Sequence, residues 1–168
     1  MTEKQVFTKM VLDGWKGRIE NVRELLKSLS DDDLKLELSP GKNSVGWVIA
    51  HLAAANLNVM KLLGFTRPTI HPGLEAHFAN QENRQPLPAS GTEIRDFLEK
   101  AQAALTQKID EIPVDDWFTH HTMISDADFA KEPHRNKLNV ILNRSLHPAH
   151  HLGQLTLHDP RLRDKATR

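Results

Sequence analysis

Apolar residues return every three or four positions in four separate stretches of this chain, and no stretch shows a convincing two-residue strand period. Phe7, Val11, Trp15, Ile19, Val22, Leu26 and Leu29 fall on one stripe of a helix over residues 3–30. The run SDDDLK breaks that stripe, and LSPGKNS, with Pro40 and Gly41, reads as a turn. A second helix runs over 44–63, with Ser44 as N-cap and Gly64 as stop. Its interior is apolar nearly all round, which requires packing on more than one side. Ser90 and Glu93 have capping-box spacing and open a third helix, with the stripe Ile94, Phe97, Leu98, Ala101, Leu105 and Ile109, that ends before Pro113. The fourth covers 136–158 and closes at Asp159-Pro160, ahead of a polar tail. Residues 65–89 hold four prolines and read as a long loop with a short helical turn over 74–79; residues 114–135 read as irregular.

Four helices of about 20 residues, each about 30 Å long, predict an all-α protein: a four-helix bundle with long connections between helices. At 168 residues the chain is expected to be a single domain over 1–168. Lys+Arg and Asp+Glu both number 22, and no basic stripe is present, so neither nucleic acid nor an anionic membrane is an expected partner. The N-terminus lacks the apolar core of a signal peptide, and the least charged stretch, 43–60, is short for a membrane span and carries Asn43, His51, Asn56 and Asn58; a cytoplasmic protein is expected. The absence of cysteine excludes disulfides, thiolate metal sites and a cysteine nucleophile.

The histidines carry the chemical signal. The stretch NRSLHPAHHLGQLTLHD holds His147, His150, His151 and His158, four of the ten in the chain. His147 and His151, four residues apart, share a helix face one turn apart, the spacing of half a metal site; a solvated polar face is the alternative. His150 points about 100° away from His151, and His158 lies about 10 Å further along the axis. A third ligand has to come from another helix. His51 sits in the least charged one, where a buried imidazole needs a partner on each ring nitrogen, either a metal or a hydrogen-bonding neighbour. Asn143, one turn before His147, and Asn58, two turns after His51, are candidates for contacts around such a site or ordinary helix polar residues; Gln154, three residues after His151, reaches the same region or makes a hydrogen bond between helices. Trp47, four before His51, is a core residue or a pocket wall. His71, His77, His120, His121 and His134 read as solvated.

SVGWVIAHLAAAN in the second helix and LHPAHHLGQL in the fourth together resemble the DinB-like (DinB/YfiT) family of metal-binding helical bundles. The matching features are Ser-x-Gly-Trp-x-x-x-His and His-x-x-x-His-x-Gly-Gln, in register with the helix pattern over nearly the whole chain. The resemblance implies that His51, His147 and His151 hold a divalent metal, nickel or zinc, with Gly153 and Gln154 completing the motif. It also implies a homodimer and a small-molecule substrate. Characterised relatives include transferases and isomerases that use low-molecular-weight thiols, and others are hydrolases. A metal-dependent thiol S-transferase acting on a small electrophile is therefore expected first. A metal-dependent hydrolase or a non-catalytic, stress-related metal-binding module follows. Pro148 departs from the family pattern and implies either a kinked fourth helix or a new helical start near Ser145.

Overall fold

The computed structural model describes residues 1–79 and 86–158, with the backbone alone at 157 and 158. Its regular secondary structure within this range is all helical. Four long helices, α1 (Glu3–Ser28), α3 (Val45–Leu62), α5 (Gly91–Asp110) and α7 (Lys137–His158), are joined by three short ones: α2 (Asp31–Lys35), α4 (Pro72–Ala79) and α6 (Asp126–Lys131). A 3-10 turn covers Val114–Phe118. Strand-like pairing among the described residues is confined to isolated bridges, Glu37 with Ser44 and His120 with Asn136. The expected Asp159-Pro160 stop and the polar tail lie outside the described residues, as does the side chain of His158.

Local chemistry sets the helix starts. Thr2, Ser30 and Ser90 each accept the N–H of the third helical residue, whose own side chain (Gln5, Asp33, Glu93) returns a bond to the cap backbone. Ser44 caps α3 through the Trp47 N–H, and Asn136 Oδ1 accepts the Asn139 N–H at the start of α7. The acidic run 31–33, expected only to break the first stripe, is itself the capped first turn of α2. Gly64, at φ 90°, ends α3 in the left-handed region that favours glycine.

α3 is the interior helix. It packs on α5 and α7, with α2 and α4 over its remaining sides, while α1 packs on α7. Val45, Ile49, Ala50, Ala53 and Leu57 are fully buried. The helix has the length and mean hydropathy of a membrane span, yet 67% of it is buried inside the protein, as expected of a core helix. Gly46 permits the close approach of α2: a Cβ there would stand 3.0 Å from the Leu34 carbonyl oxygen and 3.2 Å from Ile94 Cδ1. Ion pairs tie α1 to α5, Lys16 to Asp110 and Arg23 to Glu99.

The first stripe is corrected at one end. Thr8 takes the buried position in the opening turns of α1, and Phe7, about 100° round the helix from it, faces out at 60% exposure. The connection 65–79 is ordered by Glu75, whose buried carboxylate accepts the N–H groups of Ile70 and His71 and pairs with Arg67. α7 runs unbroken through the buried Pro148, so no new helix starts near Ser145. The Arg144 carbonyl there loses the partner that any other residue would supply.

One buried polar pair crosses the core. Asn56 Nδ2 of α3 donates to Gln102 Oε1 of α5 at 2.8 Å, and Gln102 Nε2 donates to Thr106 Oγ1 at 3.0 Å. Gln102→Leu strands the Asn56 amide and is expected to cost on the order of 1–3 kcal/mol in urea denaturation. The double variant Asn56→Leu/Gln102→Leu, which leaves no orphan, is expected to recover most of that loss; equal stability of single and double variants would refute this account.

Candidate metal centre

α3 and α7 bring three imidazoles to one point. His147 Nε2 lies 3.0 Å from His51 Nε2 and 3.0 Å from His151 Nε2. The nearest ring nitrogens of the three all fall within 4.8 Å of one another. Residues 96 positions apart in the chain meet because α3 and α7 are packed neighbours. Each of the three is half-buried.

The surroundings hold the rings in place. Trp47, one turn before His51, stacks on it with centroids 5.0 Å apart and planes 10° from parallel. Phe78 of α4 meets His51 at 5.9 Å and Trp47 edge-on at 5.2 Å. Gln154 Oε1 lies 2.8 Å from His151 Nδ1. A carbonyl oxygen accepts, so Nδ1 carries the proton and His151 Nε2 presents a lone pair towards the other two rings.

Burial disfavours the charged form of each ring. It lowers the pKa of His51 from 6.5 to about 4, helped by the positive charges of His151 and Arg144. His147 is also pushed down to about 4, first by burial and then by its histidine and arginine neighbours. His151 is lowered by burial, with the Gln154 hydrogen bond opposing the shift. Near neutral pH the rings are uncharged and can act as ligands.

Hydrogen bonding alone does not satisfy this arrangement. With Nδ1 protonated, His151 Nε2 is an acceptor, so His147 Nε2 would have to donate to it. One N–H cannot serve both His151 and His51 well from between them, whereas a cation facing three lone pairs satisfies all three. Two nitrogens at about 2.0–2.1 Å from a tetrahedral zinc stand about 3.3–3.4 Å apart. The contacts of 3.0 Å therefore need small adjustments to accept such an ion. The cluster is compatible with a divalent metal in both donor type and spacing.

The other sequence candidates separate. Gln154 joins the cluster. Asn143 is exposed and bonds Asn139 Oδ1 at 3.4 Å, and Asn58 is exposed; both stand away from the imidazoles because the solvent-facing sides of α7 and α3 carry them. His150 is exposed beside His151. His77, expected in solvent, is buried at 6% exposure. His71 is half-buried, and its Nδ1 accepts the Leu74 N–H at the start of α4. His120 lies 3.3 Å from Asp126 Oδ1 at the surface.

A cavity of about 430 Å³ opens beside the imidazoles, lined by His51, His151 and Gln154 together with Trp47, Val48 and the segment Leu38, Ser39, Lys42, Asn43. Sequence reasoning missed the 38–43 wall and Phe78. The turn LSPGKNS signals only a change of direction, and nothing in it signals which face it will overlie.

A family model described as the DinB superfamily matches residues 15–155 of this chain. A crystal structure of a DinB-like protein from Bacillus cereus superposes with a TM-score of 0.67 at 20% identity, over 90% of this chain and 89% of that one. No curated protein matches the chain.

Because the folded rings have pKa values below the unfolded value of 6.5, the unfolded chain takes up protons first as the pH falls. The contribution of the neutral rings to stability is therefore complete above about pH 6.5 and is lost as the pH falls towards 4. Metal-free protein is expected to lose stability between pH 7 and 5 in denaturant titrations. The triple variant His51→Gln/His147→Gln/His151→Gln is expected to show a flatter dependence; an unchanged slope would assign the effect elsewhere.

Proposed function

The chain belongs to the DinB superfamily, and from that premise we propose that it binds a divalent metal through His51, His147 and His151 and joins a low-molecular-weight thiol, through its deprotonated sulfur, to a small electrophile, which releases a leaving group such as halide as the new carbon–sulfur bond forms. The observation that carries the reading is the convergence of three neutral imidazole nitrogens beside an open cavity. Structural zinc sites are usually closed by four protein ligands, whereas three leave a position for a guest. Nickel or zinc suits an all-imidazole donor set.

Held by these three neutral imidazoles, such an ion would keep its full charge and would supply Lewis-acid stabilisation of an anionic sulfur. The chain itself has no cysteine, so the nucleophilic sulfur arrives with the cosubstrate. Gln154 fixes the tautomer and orientation of His151, the role that outer hydrogen-bond partners play for metal-bound histidines. Trp47 and Phe78 hold the His51 ring and keep water from one side of it. Leu38, Trp47 and Val48 give the cavity an apolar wall for the electrophile.

On the same footing, the four long helices form one four-helix-bundle domain over 1–168 in a cytoplasmic homodimer. Phe7 and Met10 on α1 and Leu142 and Leu146 on α7, large apolar side chains left exposed, are available for the dimer contact.

Metal analysis of protein purified without a nickel column tests the site. Wild type is expected to hold close to one equivalent, each of His51→Ala, His147→Ala and His151→Ala to lose most of it, and Gln154→Leu to bind about 10–100-fold more weakly. Equally low metal in all of them overturns the site. With metal bound, a haloarene is expected to react only when a low-molecular-weight thiol is added. Turnover independent of thiol would assign hydrolysis instead, and metal without turnover would assign a non-catalytic module.

A further inference from the structure

The cavity beside the imidazoles has a one-sided charge. Its polar wall consists of Ser39, Lys42, Asn43 and Gln154 besides two of the histidines, and among the described residues no Asp or Glu lines it. Lys42 has no ion pair among the described residues. Backbone bonds pin the segment that carries it: Leu38 N–H to the Asn43 carbonyl and Lys42 N–H to the Ser39 carbonyl. This leaves the Ser39, Lys42 and Asn43 side chains free to meet a guest. The carboxylates of Glu37 and Asp31 line the adjoining groove, which Lys42 also borders, and not the cavity beside the imidazoles. Glu37 accepts the Gly41 N–H, and Asp31 pairs with Arg95. On the other side of the cluster, Arg144 is half-buried, without an ion pair among the described residues, and close enough to act on both His51 and His147.

Positive charge with no carboxylate on the same wall among the described residues, in a concave site with low-dielectric walls, attracts an anion and repels a cation. Gln154 adds direction: its Oε1 is committed to His151, so its amide N–H groups remain as donors. Leu38, Trp47 and Val48 cover the rest of the wall with apolar surface. A volume of about 430 Å³ admits a ring or a short chain together with a charged group.

We propose that the substrate held in this cavity is a small organic carboxylate, its apolar body against Leu38, Trp47 and Val48 and its charge held by Lys42. The proposal rests on the reading of this cavity as the metal-adjacent substrate site and adds the chemical class of the substrate. Lys42 is a specificity residue here and leaves the ligands to the ion untouched.

The probes are phenylacetate and its neutral isostere phenylacetamide, titrated by calorimetry into the full chain, once loaded with Co2+ and once metal-free. Wild type is expected to bind phenylacetate more tightly than the amide. Lys42→Ala is expected to weaken phenylacetate by roughly tenfold, and Lys42→Glu by more, with the amide little changed. Lys42 is an exposed turn residue, and equal melting temperatures verify that the variants fold. No preference for the carboxylate in wild type, or the same loss for both probes on substitution, overturns the proposal. Cobalt content is read separately: failure to load the ion defeats the metal reading, while a Lys42-dependent preference in metal-free protein upholds the charge selectivity.

Discussion

The burial of most of α3 is the constraint from which the rest follows. An isolated helix that is apolar all round cannot exist in water, so α5, α7, α2 and α4 must cover it. A polar side chain on the covered faces of this helix is drawn inside, and two of these find partners there. Asn56 is matched by Gln102 of α5. His51 is matched by the ring of Trp47 on one side and by the imidazoles of α7 on the other. The cost of leaving either unpaired explains why the core helix and the candidate site are one construction.

Burial also sets the electrical state of the site. Desolvation keeps His51 and His147 neutral across the physiological range, and mutual repulsion between the rings reinforces it. Neutral rings with lone pairs directed inward form a donor set for a cation and a poor set for one another. Gln154 settles which nitrogen of His151 carries its proton, so a residue one turn further along α7 decides the chemistry presented at the centre. The positive side chains around this centre, Lys42 in the cavity wall and Arg144 behind it, extend the same electrostatic character outward.

The helical architecture was legible because its signals are local. Stripe periodicity, capping pairs and proline stops place the four long helices within one or two residues of their observed ends. The histidine pair on α7 was legible for the same reason, since spacing along one helix fixes a shared face. Phe7 shows the limit of that logic. It fits the stripe by count, yet Thr8 holds the buried place, because the choice between neighbouring faces belongs to the partner helix. Asn58 and Asn143 show it again: each is a whole number of turns from a site histidine, and each faces solvent. Shared face on an ideal helix does not carry a side chain past the edge of a contact.

The sequence by itself determined which segments form the four long helices, that the second of these lies in the interior, and that His147 and His151 share a helix face. These follow from residue types at short range, where backbone geometry leaves little freedom. Only the tertiary structure decided that His51 meets them at 3.0 Å, that the 38–43 turn closes over the same centre, and that His77 is buried while Asn143 is not. Those outcomes depend on how helices far apart in the chain are rotated about their axes and how loops cross between them. That rotation is set by the summed packing of whole faces, which no single stretch of residues contains.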